Sequence, residues 1–217
     1  MSRNKYPEQT VEQILAISTT LFNKNGYEKT TIQDILNELK MSKGAIYHHF
    51  KSKEDILNAI IERRSSYAKD LLNSLIVNTK AENAKEKLKK IILEISKDKE
   101  NHSIDTILSS QIKNPQFVVA GIQASVIDDA QIISKLFIEG REDGSIKTEY
   151  PLECSEVFML LINIWINPVI YSRSIEETKQ RLIVLQNLMK QLGADIITDE
   201  IIDIFVNTYK NMNAFKN

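Results

Sequence analysis

The chain has 217 residues, a net charge of -1 and 42% hydrophobic residues, the balance of an ordinary globular protein. That composition excludes a disordered or fibrous polymer, and near-neutrality excludes a protein coated in basic side chains for wrapping nucleic acid. Only 6 Gly and 4 Pro interrupt it, which suits long helices better than a strand-rich fold with many turns.

The charge is unevenly divided. Residues 1–69 carry 11 Lys and Arg against 8 Asp and Glu, whereas residues 70–217 carry 17 against 21, so a mildly basic head precedes an acidic body. The single Cys154 excludes an internal disulfide. Residues 1–7 are polar and contain no apolar stretch of the signal-peptide kind, which leads us to expect a cytoplasmic protein. The most apolar stretch, Val157 to Tyr171, contains Asn163, Asn167 and Pro168 and falls short of the roughly 20 residues that span a bilayer. It reads as a buried helix, and no membrane partner is expected.

In chain order, Val11, Ile14, Leu15, Ser18, Leu21 and Phe22 follow the 3.6-residue period and predict a helix over about Pro7 to Asn25, with Gly26 as its left-handed stop. Thr31 and Asp34 form a capping box for a second helix carrying Ile32, Ile35, Leu36 and Leu39 inward. Ser42 is read as the N-cap of a short third helix through His49. Ser52 and Asp55 form a second capping box, opening a long fourth helix to about Ile76. Three helix starts within about 22 residues, with only Lys40 and Met41 linking the second and third helices, have the sequence form of a helix-turn-helix. Further helices are predicted over roughly Ala81 to Lys99, Ser103 to Lys113, Gln116 to Glu139, Leu152 to Ser172, Ile175 to Leu192 and Thr198 to Ala214. No strand-like alternation, internal repeat or low-complexity tract accompanies them.

The segment Thr31 to Asp55, TIQDILNELKMSKGAIYHHFKSKED, carries the chemistry. A helix presented to the major groove needs first turns free of bulky acids and supplied with donors. Gly44 and Ala45 allow close backbone approach, and Lys43, Tyr47 and His48 offer a cation, a phenol and an imidazole. Ile46 and Phe50, four apart, face the other way and would pin the helix through Ile35, Leu39 and Phe22. Lys53 and Thr31, each at a positive helix end, are natural phosphate clamps.

The run SKGAIYHHFKSKEDIL, preceded by two amphipathic helices and the Phe22/Gly26 pair, resembles the signature of the tetracycline-repressor (TetR) family of regulators over residues 10 to 57. The resemblance implies an all-α protein: a three-helix DNA-binding head with a helix-turn-helix at residues 1–52, and a larger helical ligand-binding and dimerisation domain at residues 53–217. It implies Lys43, Gly44, Tyr47 and His48 as DNA contacts, with Thr31, Ser42 and Lys53 as backbone anchors. It also implies a homodimer on a palindromic double-stranded operator, acting as a ligand-responsive regulator, a repressor by preference, which a small-molecule effector releases. Lys40 departs from the family, which often has glycine in this turn. A non-glycine residue in left-handed geometry costs about 1–2 kcal/mol, so either the turn is strained or it takes another shape.

Other features lead elsewhere or nowhere. Adjacent His48 and His49 point about 100° apart on a helix and cannot chelate together. His102, near Asp98, Glu100 and Asp105, lacks ligand spacing, so neither a metal nor another cofactor is expected. Cys154 has no visible catalytic partner and no Gly-rich phosphate loop occurs, so no enzyme is read. In the body, Phe117, Phe137, Phe158, Trp165 and Tyr171 are candidate ligand-pocket aromatics or plain core. Leu182, Leu185, Met189 and Leu192 form a candidate dimer seam, with Val157, Leu161, Ile164 and Pro168 as its partner face; internal packing is the alternative. A helical protein-interaction module without DNA binding is the competing function.

Overall fold

The computed structural model describes residues 7–101, 103–211 and 214–215. His102, the polar start of the chain and part of the last turn of the helix expected over Thr198 to Ala214 lie outside the described residues. Among the described residues the fold is helical throughout, without strands. Its elements are α1 (Pro7–Asn25), α2 (Ile32–Leu39), α3 (Lys43–Tyr47), α4 (Lys53–Asn78), α5 (Ala84–Lys97), α6 (Asp105–Ser110), α7 (Pro115–Gln123), α8 (Ala130–Glu142), α9 (Pro151–Leu160), α10 (Pro168–Tyr171), α11 (Ile175–Gln191) and α12 (Asp199–Asn211). Two π-helical segments, Ala124–Asp129 and Leu161–Trp165, continue α7 into α8 and extend α9.

The described residues form two compact units. The first contains residues up to Ala68 together with Asn101–Ser110; the second contains Lys69–Glu100 and the chain from Gln111 onward.

In the first unit, local signals set the helix ends. α1 stops where Gly26 turns left-handed at φ 87° and its amide bonds the Phe22 carbonyl at 3.0 Å. The Thr31 hydroxyl accepts from the Asp34 amide (3.1 Å) while the Asp34 carboxylate accepts from the Thr31 amide (2.8 Å), completing the expected capping box. The same reciprocity joins Ser52 and Asp55 at the head of α4. The apolar faces so aligned close over Ile14, Phe22, Ile35, Ile46, Ile56 and Phe50. Each such side chain contributes about 1.5–3 kcal/mol by burial. Sequence reading placed the region after Ser103 with the body. The structure instead puts Ile104 and Ile107 in this first core, and Asn23 donates to the Ser103 carbonyl at 2.9 Å.

In the second unit, Leu88 and Ile91 of α5, Leu136 and Phe137 of α8, Phe158 of α9, Leu182, Leu185 and Met189 of α11 and Ile201 of α12 share one core. The buried Ser155 hydroxyl donates to the Ala130 carbonyl at 3.0 Å, tying α9 to α8. Asp143 reaches the start of α5, accepting from the Ala84 amide at 2.7 Å.

The helix expected over Leu152 to Ser172 is interrupted. Its π segment closes with the Ile166 amide on the Leu161 carbonyl at 2.9 Å, after which Asn167 leaves the helix. Pro168 explains the break, because proline brings no N–H and disfavours helical geometry in the residue before it. The helical run Pro115–Glu142 is, by length and composition alone, apolar enough to cross a membrane, and exceeds the stretch singled out from sequence. Its second half nevertheless supplies Ile133, Leu136 and Phe137 to the core.

Candidate nucleic-acid interface

The turn between α2 and α3 takes the left-handed option. Lys40 has φ 52° and ψ 35°, and the Met41 amide bonds the Leu36 carbonyl at 3.2 Å, the six-to-one closure of a Schellman motif. Lys40 therefore occupies a geometry that favours glycine, and the strained alternative is the one realised.

From that turn α3 runs for five residues, ending at Tyr47 rather than His49. Ser42 is its N-cap, with extended backbone as expected, yet its side chain makes no capping hydrogen bond. The Ser42 hydroxyl thus remains exposed at the helix start. Ile46 is fully buried and Phe50 nearly so, holding the inner side. Lys43, Gly44, Tyr47 and His48 occupy the exposed side. Tyr47 is 41% exposed, with the Lys43 ammonium 5.6 Å from its ring centroid, and His48 meets His49 edge to face at 5.0 Å.

Gly44 has helical backbone, and a Cβ built on it would touch nothing within 4 Å. The fold itself gives no reason for glycine there, although glycine within a helix costs roughly 0.5–1 kcal/mol relative to alanine.

The expected anchors differ in availability. The Thr31 hydroxyl also donates to Asp34 Oδ2 at 2.7 Å, and this pairing holds the Asp34 carboxyl below its ordinary range, the Thr31 amide bond being the leading cause. At Lys53 the ammonium turns inward: it donates to the Tyr27 carbonyl at 2.8 Å and the Glu28 carbonyl at 3.4 Å, and lies 4.2 Å from the Tyr27 ring centroid.

The expected pocket aromatics separate. Phe137 and Phe158 are closed into the second core and Trp165 packs half-buried against it, whereas Phe117 and Tyr171 are not part of that cluster. The expected seam also needs correction. Leu182, Leu185 and Met189 are wholly buried within a single chain, filling its core, so they cannot face a second copy; of the four, only Leu192 is exposed. In its expected partner face Pro168 is buried, Leu161 and Ile164 are half-buried, and Val157 is exposed. The apolar residues that α11 exposes include Ile175 at its start and the adjacent Ile183 and Val184, the last two 41% and 53% accessible.

Sequence reading missed an arginine pair. Arg173 Nη1 donates to the Trp165 carbonyl, and the Arg181 guanidinium lies 5.9 Å from the Trp165 ring centroid. Cys154 is buried, which pushes its thiol up. Among the described residues, no three His, Cys, Asp or Glu side chains gather as a metal site.

Residues 14–60 match the family model described as bacterial regulatory proteins, tetR family. An uncharacterised HTH-type transcriptional regulator of Bacillus subtilis (strain 168), YerO, is 32% identical over 126 residues, covering 58% of this chain and 39% of that protein. The chain thus spans about two fifths of this relative's length. The biofilm operon icaADBC HTH-type negative transcriptional regulator IcaR of Staphylococcus aureus is 25% identical over 176 residues, covering 78% of this chain and 91% of its own. Among solved structures, Salmonella enterica GusR superposes with a TM-score of 0.60 at 16% identity, over 88% of this chain and 99% of its own, a likeness of fold. Residues 14–60 thus carry a domain that matches the tetR family of bacterial regulatory proteins, and the full-length likeness to GusR is one of fold.

Proposed function

We propose that this chain is a cytoplasmic, non-catalytic transcriptional repressor that binds a palindromic double-stranded DNA operator as a homodimer and leaves it when a small-molecule effector binds the second unit. One observation carries the reading. α3 is fixed from behind by Ile46 and presents Lys43, Gly44, Tyr47 and His48 outward, with a glycine that its own fold does not require. Donors on a narrow, acid-free helix suit the acceptor-rich major groove. Thr31, Ser42 and Lys53 are read as backbone anchors. Ser42 has its hydroxyl to offer, while Lys53 acts through the position it gives the start of α4.

The name of IcaR as a negative regulator supports repression. Two-fold symmetry would place two α3 helices about 34–36 Å apart, or a further turn, on a palindrome. The exposed Ile183 and Val184 of α11 suit the dimer contact better than the buried Leu182, Leu185 and Met189. Release by an effector requires it to bind one conformation of the dimer more tightly than the other. Phe117, Trp165 and Tyr171 remain the aromatics available for that site.

The test is fluorescence anisotropy with the protein's own upstream DNA across salt concentrations, alongside sizing by light scattering. Steeply salt-dependent, sequence-selective binding by a dimer is expected. A chain that ignores every duplex at low ionic strength would instead be a helical interaction module.

A further inference from the structure

Within the second unit, the most unusual electrostatic arrangement lies between the π segment Leu161–Trp165 and the start of α11. Arg173 is only 8% exposed, and its guanidinium lies 4.2 Å from the Tyr171 ring centroid while bonding the Trp165 carbonyl. Arg181 approaches the same tryptophan from one helical stretch further on and donates to the Glu177 carbonyl at 2.8 Å. Its Nε is enclosed yet has no hydrogen-bond partner.

No carboxylate lies within ion-pair distance of either arginine among the described residues. Glu177 is the one acid felt by both, but its carboxylate is committed to the Ser174 amide at 2.9 Å, where it completes the cap of α11. Two guanidiniums against one committed carboxylate leave an excess positive charge, and the positive end of α11 adds to it. Arginine cannot discard its proton to escape this cost, and charges withdrawn from water are otherwise found paired. Desolvation, followed by repulsion from Arg181, lowers the proton affinity of Arg173.

The backbone around the pair is equally irregular. Ser172, immediately before Arg173, is held at φ 51°, where a non-glycine residue is strained, and the π segment is linked to the other π segment by Asn163 donating to the Ser125 hydroxyl at 3.1 Å. Such departures from regular geometry concentrate at binding sites.

We propose that Arg173 and Arg181 form the anion-recognising part of the effector site, and that the effector is a small organic carboxylate whose apolar portion lies against Trp165. Arginine's planar fork matches a carboxylate in two parallel bonds, and the indole face suits an adjoining apolar group. This inference rests on the reading of the second unit as a sensor domain.

Trp165 is the sole tryptophan, so its emission reports directly on the site. The purified full-length chain is titrated with benzoate and octanoate, and separately with their uncharged counterparts benzamide and octanol. A saturable, salt-sensitive change with at least one carboxylate and none with the neutral compounds is expected. R181Q should weaken that response on the order of tenfold, the loss of one charge-assisted pair, and R181K should recover part of it. Thermal denaturation establishes that the variants fold. Silence with both carboxylates to roughly 10 mM, the range of the weakest specific ligands, overturns the proposal. An equal response to the neutral compounds, or an R181Q response indistinguishable from the parent, does so too.

Anisotropy on operator DNA separates this from the repressor reading. DNA binding that survives while no carboxylate binds sinks the anion site alone. A carboxylate that binds Trp165 in the expected way without altering DNA affinity upholds the site and removes its role in release.

Discussion

The ammonium of Lys53 donates a 2.8 Å hydrogen bond to the carbonyl of Tyr27 and lies 4.2 Å from the centroid of the same residue's ring. One lysine thereby ties the start of α4 to the segment that follows α1. Tyr27 also meets Phe22 edge to face at 5.1 Å, so the pair is continuous with the core of the first unit. Burial raises the Tyr27 phenol above its ordinary range, with the Glu54 and Glu28 carboxylates contributing, and its ring stays neutral under the lysine.

Lys53→Met keeps the aliphatic stem and removes the charge and donor. A partly exposed cation–π contact and one hydrogen bond to a charged group together suggest a loss of about 1 kcal/mol. Urea denaturation should show a lower midpoint with an unchanged slope. A midpoint equal to the parent's would mean that the contact contributes nothing in solution.

Positive backbone angles give substitutions of opposite sign at two places. Lys40→Gly relieves the left-handed cost at φ 52° but adds chain entropy, for a net stabilisation of about 0.5–1 kcal/mol. At Gly193, φ is 82° and a Cβ would sit 2.8 Å from the Lys147 carbonyl carbon, so Gly193→Ala combines strain with a backbone clash. It should lose about 2 kcal/mol or more. Melting curves of the two variants should move in opposite directions.

Tyr47→Ala and Lys43→Ala alter exposed groups of α3 and should leave stability within about 0.5 kcal/mol. Their effects on DNA should differ in kind. Loss of a base contact should cost on the order of 1–3 kcal/mol and relax sequence preference, while loss of a phosphate contact should weaken all sequences and flatten the salt slope by about one unit. Anisotropy against operator and scrambled duplexes distinguishes the two. Unchanged affinity and selectivity in both variants would remove α3 as the reading element.

Three carboxylates should govern acid sensitivity. Asp34 is held below its ordinary range first by the Thr31 amide, Asp143 first by the Ser145 hydroxyl and then by the Ala84 amide, and Glu177 first by the Ser174 amide. Each has a depressed proton affinity when folded, so its contribution is present above the unfolded values of about 3.9 for Asp and 4.3 for Glu. That contribution is lost as pH falls through the folded values. Circular dichroism melts between about pH 6 and pH 2.5 should show stability dropping below about pH 4. Asp143→Asn should lower stability at neutral pH and shrink the acid-dependent part; an undiminished acid drop would exclude the α5 cap as a source.

The head was legible because its signals are local. Gly26, the Thr31/Asp34 and Ser52/Asp55 boxes, and the Ile46/Phe50 spacing each act within four residues, and the structure realises them. Ser42 shows the limit, since a residue of capping type occupies the cap without using its hydroxyl. In the body, the stripe Leu182, Leu185, Met189 has a helical period that is the same whether its partner is the chain's own core or a second copy. Burial decided for the core. Ile104 and Ile107 likewise gave no hint of which core they would join. The meeting of Arg173 and Arg181 at Trp165 depends on a π segment and a left-handed Ser172, neither of which has a sequence period to betray it.

The brevity of α3 sets the order in which the molecule fails. Five residues are far too few to stay helical alone in water, so its shape persists only while Ile46 and Phe50 remain seated. Warming that merely loosens those two anchors would scatter Lys43, Tyr47 and His48, although each is chemically intact and most of the polypeptide is still coiled. On the proposed reading, DNA binding should therefore vanish some degrees before bulk ellipticity does.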